Sequence, residues 1–191
     1  MQQEFLHILR RHPVIPSLQR QQDIPALITS RARIALISSG SIFNIKQRAR
    51  ELHDNGKIVL VHIDLIHGLG RDAAGVRYLK DKVGAEGIVT PNRHLVTAAR
   101  KQGLIAIHRL FAHDSPSIAT GLKVLKLSNP DFIEVLPGLI VANVMPILRE
   151  HFQQPVIGAG LVKTTAEVKS LLAAGAVGVD TSAKSLWNFE P

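Results

Sequence analysis

Val156-Ile157-Gly158-Ala159-Gly160-Leu161-Val162-Lys163-Thr164-Thr165, followed by Ala176-Val177-Gly178-Val179-Asp180-Thr181-Ser182, is the stretch that decides the fold. Each piece opens as a short apolar strand. The first breaks into a glycine-rich turn and then begins a helix. The second ends in two hydroxyls just before a final short helix. Backbone N–H groups in such turns, aimed by a helix N-terminus, bind phosphate without a charged side chain. As the last two strands of a (β/α)8 barrel, these pieces stand where that fold most often holds a phosphate.

Working outward, six more strand-like runs precede them: Val14–Ser17, Arg33–Ser38, Lys57–Asp64, Gly87–Thr90, Leu104–Arg109 and Phe132–Leu136. Most are apolar on both faces, as parallel strands covered by helices are. The segments between them are long enough for crossover helices, with one expected over Leu18–Thr29. Thr90-Pro91 and Ser115-Pro116 place a capping residue before a proline at the first helical position. Thr164-x-x-Glu167 reads as a capping box. Gly84, Gly103 and Gly175 stand where helices stop. The unit repeats about every 25 residues, as in a βα barrel. The expectation is a compact, single-domain α/β chain over 1–191, a (β/α)8 TIM-type barrel, with residues 1–12 an N-terminal helix or arm. A doubly wound open sheet competes, and only the weak Val14–Ser17 strand separates the two.

The 191 residues are 46% hydrophobic and 20% charged, which fits one well-buried globular domain. Without a run of about eighteen apolar residues, no membrane span is expected. Met1-Gln2-Gln3-Glu4 lacks the order of a signal peptide, so a cytoplasmic location is the default. The absence of cysteine excludes disulfides and a thiol nucleophile. The net charge of +8 is uneven: eight of the Lys and Arg residues but only Glu4 and Asp23 fall in positions 1–50. Such a surplus attracts polyanions such as RNA, although a basic solvated surface reads the same way.

Ligands of a βα barrel meet the C-terminal ends of its strands. That rule selects Asp64, Arg109, Glu134 with Gly138 beyond it, Gly158, Ala159, Gly160, Lys163, Thr181 and Ser182. Carboxylates would accept hydroxyl protons of a small polyol phosphate, while glycine turns and hydroxyls would take the phosphate. Each residue also has a plainer reading. Arg109 and Glu134 form a buried ion pair; Asp64 caps a loop; Gly158 and Gly160 permit tight strand–helix packing; Lys163 is a solvated loop lysine. The nine histidines show no dense ligand spacing, so no metal is expected. Adjacent His113, Asp114 and Ser115 cannot adopt triad geometry.

Several of these residues also carry a family resemblance. Val61–Leu69, Thr90–His94, His108–Ser115, Pro130–Gly138 and Thr181–Trp187 occur in order, and over residues 13–188 the chain resembles the glycerol uptake operon antiterminator regulatory protein family. The resemblance implies a barrel that has lost catalysis, binds glycerol 3-phosphate as effector and needs no other cofactor. In that state it would bind the leader of glycerol-catabolism mRNA and prevent the terminator from forming. It also implies that Glu134 contacts glycerol hydroxyls and that Gly158–Gly160 and Thr181-Ser182 hold the phosphate. One departure is Gly158-Ala159-Gly160 where the family reads Ala-Gly-Gly; with φ > 0 at the middle position, Ala159 would be strained.

Aromatic residues are only 4%, too few for a base-stacking platform, so RNA contact falls to cations. The candidates are Arg48 and Arg50 on one predicted helix, with Arg93, and a homodimer would widen that basic surface. The competing function is a barrel enzyme acting on a small polyol or sugar phosphate, with Asp64 or Glu134 as general acid or base.

Overall fold

Eight short apolar runs become the staves of one closed parallel barrel in the computed structural model, which describes residues 2–191. They are β1 (Val14–Leu18), β2 (Ile34–Ile37), β3 (Ile58–His62), β4 (Gly87–Thr90), β5 (Ile105–Phe111), β6 (Phe132–Leu136), β7 (Val156–Ala159) and β8 (Ala176–Thr181). Each pairs with its neighbour in chain order. The weak first strand closes the ring, with Val14 opposite Val179 on β8 and Ser17 opposite Leu36 on β2. That double pairing excludes the open sheet.

Alternation of side chains along each strand separates two apolar layers. Ile15, Leu36, Leu60, Ile107, Phe132 and Ile157 fill the barrel. Residues of opposite parity, such as Val14, Ile37, Val61, Ile133 and Val179, pack outward against the helices. Those helices are α1 (Gln2–Arg11), α2 (Ile24–Thr29), α3 (Ile45–His53), α4 (Ala73–Tyr78), α5 (Arg93–Lys101), α6 (Ser115–Ser128), α7 (Val141–Arg149) and α8 (Thr165–Ala173). The N-terminal segment is therefore a helix. Its Phe5 and Leu9 join the inner cluster, and the Phe5 ring meets Phe132 edge-on at 5.1 Å. In this way α1 plugs the end of the barrel at which the strands begin. Among the described residues no helix is long and apolar enough to cross a membrane.

The local signals hold with adjustments. The Thr164–Glu167 capping box forms, and Gly84, Gly103 and Gly175 all take positive φ. The helix expected from Leu18 begins only at Ile24: Leu18 is drawn into β1 by pairing with Ile37, and Gln21–Asp23 form a 3-10 turn. Asp114, not Ser115, caps α6, and Asn92, not Thr90, caps α5. β1 gains one residue over the expected run, whereas β4 keeps Gly87–Thr90 and the two caps are set by which side chain reaches the first free N–H: Asp114 to Ser117 N and Asn92 to His94 N. Beyond β2 and β3, Gly40–Ser41 and Ile66–His67 form a small parallel pair on the rim, with no counterpart among the expected elements.

Candidate functional site at the C-terminal mouth

Apolar inward positions turn polar at the ends of the strands. Ser17, Ser38, His62, Arg109, Glu134 and Asp180 follow Ile15, Leu36, Leu60, Ile107, Phe132 and Gly178 by two residues, the period that keeps a side chain on one face. Above them opens a cavity of about 620 Å³. Its lining includes Ser17, Ser38, Arg109, Asp180, Thr181, Ser182, Ser185 and the turn Gly160–Lys163.

The floor is an ion network. Arg109 Nε donates to Glu134 Oε2 at 2.5 Å, and its Nη2 lies 3.6 Å from Asp180 Oδ2. The side chains of Glu134 and Asp180 are only 2% and 6% exposed. Burial alone would lower the Arg109 pKa, but Glu134, Asp180 and Asp64 together raise it. Asp180 moves the other way: burial first, then the charge of Glu134, push it up to about 8 against the pull of Arg109. Its Oδ1 is buried and has no hydrogen-bond partner among the described residues.

The structure redistributes the residues selected from sequence. Arg109, Gly160, Lys163, Thr181 and Ser182 line the cavity. Glu134 lies beneath, holding Arg109 rather than facing the opening, so the plain reading as a buried ion pair is what forms. Asp64 sits on the 3-10 turn Ile63–Leu65, with Oδ2 3.7 Å from His62 Nδ1, and faces a neighbouring depression. Gly158 belongs to the wall: a Cβ there would stand 2.2 Å from Leu171 Cδ2 on α8. Gly138 presses against β7, where a Cβ would stand 3.0 Å from Ala159 N. Ala159 is fully buried within β7 and is absent from the positive-φ positions, which fall at Gly160 (φ 77°) and Leu161 (φ 63°). The expected strain at Ala159 does not arise, because the left-handed turn starts one residue later.

Two expected phosphate donors are already engaged. The Thr181 hydroxyl donates to Val162 O and accepts from Ala183 N–H, tying the two loops together. The amides of Lys163 and Thr164 donate to Glu167 Oε2, and the Glu167 N–H donates to the Thr164 hydroxyl, completing the capping box at the start of α8. The exposed Lys163 side chain and the Ser182 and Ser185 hydroxyls stand at the rim.

The arginines proposed for RNA separate. Arg48 is buried; its guanidinium donates to Gln21 Oε1 at 2.7 Å and to Ser39 O at 2.9 Å, fixing the segment after β2. It is a structural anchor because α3 turns that face inward. Arg50 is exposed in the last turn of α3, at the end where strands begin. Arg93 is exposed in the first turn of α5, at the cavity end, so the two share no surface. Sequence reasoning missed Asp180 and Ser38, although the two-residue period from Gly178 and Leu36 marks both.

Titration of groups buried in the barrel and its wall has a measurable consequence. Burial, then the charge of Arg109, hold His62 at about 3; burial holds His108 at about 4. In the unfolded chain each titrates near 6.5, so unfolding takes up protons below that pH. Each ring's contribution is fully present above about pH 6.5 and is lost as pH falls toward its folded value. Asp180 acts oppositely, because the folded chain keeps a proton that the unfolded chain releases. Two rings against one carboxyl leave a net loss whose slope grows from near zero at about pH 6.5 to about 1.2 kcal/mol per pH unit near pH 5. Urea unfolding across that range checks it, and Asp180→Asn is expected to steepen the slope.

A closed parallel barrel with a polar cavity at the C-terminal ends of its strands defines the class: a (β/α)8 barrel with a ligand-sized mouth. The chain belongs to the glycerol-3-phosphate responsive antiterminator family, whose model matches residues 14–187. It is 32% identical over 185 residues to the uncharacterized protein YgcP of Escherichia coli, covering 97% of this chain and 96% of that one. It is similar to the crystal structure of a glycerol uptake operon antiterminator regulatory protein from Listeria monocytogenes. There the TM-score is 0.87 and the identity 30%, over 92% of this chain and 94% of the other. A glycerol uptake operon antiterminator-related protein from Thermotoga maritima matches with TM-score 0.84 and 30% identity, over 94% and 99%.

Proposed function

We propose that the chain is a glycerol 3-phosphate-responsive antiterminator that binds the leader of glycerol-catabolism mRNA and prevents terminator formation, without turnover. Family membership supports the regulatory role. The observation that carries the ligand reading is the cavity itself: Lys163, Ser182 and Ser185 at its rim suit a phosphate, and the unpartnered Asp180 Oδ1 on its floor suits a polyol hydroxyl. Arg109 orients Asp180, and Glu134 acts one step removed by holding Arg109. The switch is linkage: glycerol 3-phosphate strengthens RNA binding to the extent that the RNA-competent state binds it better.

Thermal unfolding with glycerol 3-phosphate, glycerol, inorganic phosphate and dihydroxyacetone phosphate tests the ligand. At a hundredfold excess over Kd, binding stabilises by about 2.7 kcal/mol, and glycerol 3-phosphate is expected to give the largest shift. Anisotropy of a labelled leader RNA with and without the effector tests the switch, and equal affinities in both arms would discard it. One observation favours a barrel enzyme instead: Asp180 keeps a proton near neutral pH and lines the cavity. Phosphorus NMR of the same phosphates incubated with the protein decides that reading, with no turnover expected.

A further inference from the structure

Five of the nine cations in the first sixty residues, scattered in sequence, converge at the end of the barrel opposite the cavity. Arg10 and Arg11 stand exposed in the last turn of α1. Arg33 is exposed immediately before β2, and the Ile34–Ile58 register brings it beside Lys57 at the start of β3. Lys57 is fixed by donating to Ser30 O and Ala32 O, both at 2.7 Å. Arg31 borders a crevice with His12 and pairs with Glu190. Among the described residues, Arg10, Arg11 and Arg33 have no carboxylate within ion-pair distance.

The field is shared. The His12 ring, lowered first by burial, feels in turn the charges of Arg11, Arg33, Lys57 and Arg31. The dipole of α1 favours cations at its C-terminus, which accounts for Arg10 and Arg11. It does not account for Arg31, Arg33 and Lys57, which arrive from other elements and repel them. The carboxylates of the same end, Asp54, Glu86, Asp131 and Glu190, are taken by Arg50, His53, Arg100 and Arg31, and at the cavity end the cations are interleaved with Asp64, Asp72, Asp114 and Glu167.

We propose that the N-terminal end of the barrel, over the C-terminus of α1, is the surface that takes the RNA backbone. The inference rests on the RNA half of the proposed function and assigns its face. The chemistry fits phosphate: four of the five cations are arginines, whose planar fork pairs bidentately with phosphate oxygens. Guanidiniums without partners lose no existing ion pair on docking, and each phosphate contact releases counterions. The RNA and the effector then occupy opposite ends, so the effector acts on RNA affinity through the barrel and never touches the RNA.

The test is anisotropy of a labelled 20-nucleotide single-stranded RNA of mixed sequence, titrated with the full chain across KCl concentrations with glycerol 3-phosphate present. Arg10→Gln/Arg11→Gln/Arg33→Gln is expected to weaken binding at least tenfold at 0.1 M salt. It should also flatten the log–log salt slope by about 2, near 0.7 for each lost single-strand contact. Its thermal shift with glycerol 3-phosphate stays as in the wild type, which also shows that it folds; Arg33→Gln alone should flatten the slope by about 0.7. Arg93→Gln, at the opposite end, leaves the slope unchanged. Wild-type affinity and slope in the triple variant overturn the assignment, and loss with Arg93→Gln instead moves the RNA to the cavity end while leaving an RNA-binding protein. A wild-type chain that binds no RNA yet shows the glycerol 3-phosphate shift overturns both this face and the RNA reading. In that case, binding to vesicles of anionic phospholipid would identify a membrane as the occupant.

Discussion

Replacing Arg109 by methionine lowers stability by about 3–5 kcal/mol at pH 7, read from urea unfolding, because it breaks a buried ion network on its only cation. Glu134 and Asp180 remain below the cavity, both almost fully buried, with no positive charge between them. The methionine stem replaces the packing but not the charge. The pair formed by Arg31 and Glu190 is the control: both side chains are more than half exposed, and Arg31→Ala costs at most about 1 kcal/mol. Equal costs at the two sites would mean that the floor of the cavity is effectively solvated.

Lys163→Glu weakens glycerol 3-phosphate binding by roughly 100-fold in calorimetry, the equivalent of about 3 kcal/mol for reversing a charge-assisted contact. The side chain is exposed and, among the described residues, makes no ion pair. Its backbone amide, which Glu167 engages, is unaffected by the substitution. Stability therefore changes by less than about 0.5 kcal/mol, and the effect is confined to the ligand. Unchanged affinity would place the phosphate away from the β7–α8 turn and return the proposed pocket to the Ser182–Ser185 side alone.

How far the site was readable varies residue by residue. Arg109 and Glu134 stand out because charge at the end of an apolar strand demands a partner, and strand order makes them neighbours. Which of them faces the cavity depends on side-chain reach inside the barrel: Arg109 spans to Asp180 and lines the cavity, while Glu134 does not. Gly158 and Gly160 look alike in sequence. One is required by Leu171 packing down on β7, the other by a left-handed turn, and only the position of α8 separates them. Thr181 has the chemistry of a phosphate ligand, yet its hydroxyl is used by Val162 O, a partner nineteen residues away. Arg48 and Arg50, two apart, point to opposite environments because a helix turns by about 200° between them.

The sequence by itself determined the alternation of strand and helix, the barrel class and its capping signals, because these depend on apolar periodicity and on residues within one turn of each other. It also marked the mouth, since strand ends are where polarity returns. The tertiary structure alone decided which polar groups meet and which of them stay unsatisfied. Closure of the ring brings Asp180 on β8 to Arg109 on β5, and places Arg10, Arg33 and Lys57 at one end. Contacts of that kind are set by strand register and the packing of helices around the barrel, and no local pattern along the chain encodes them.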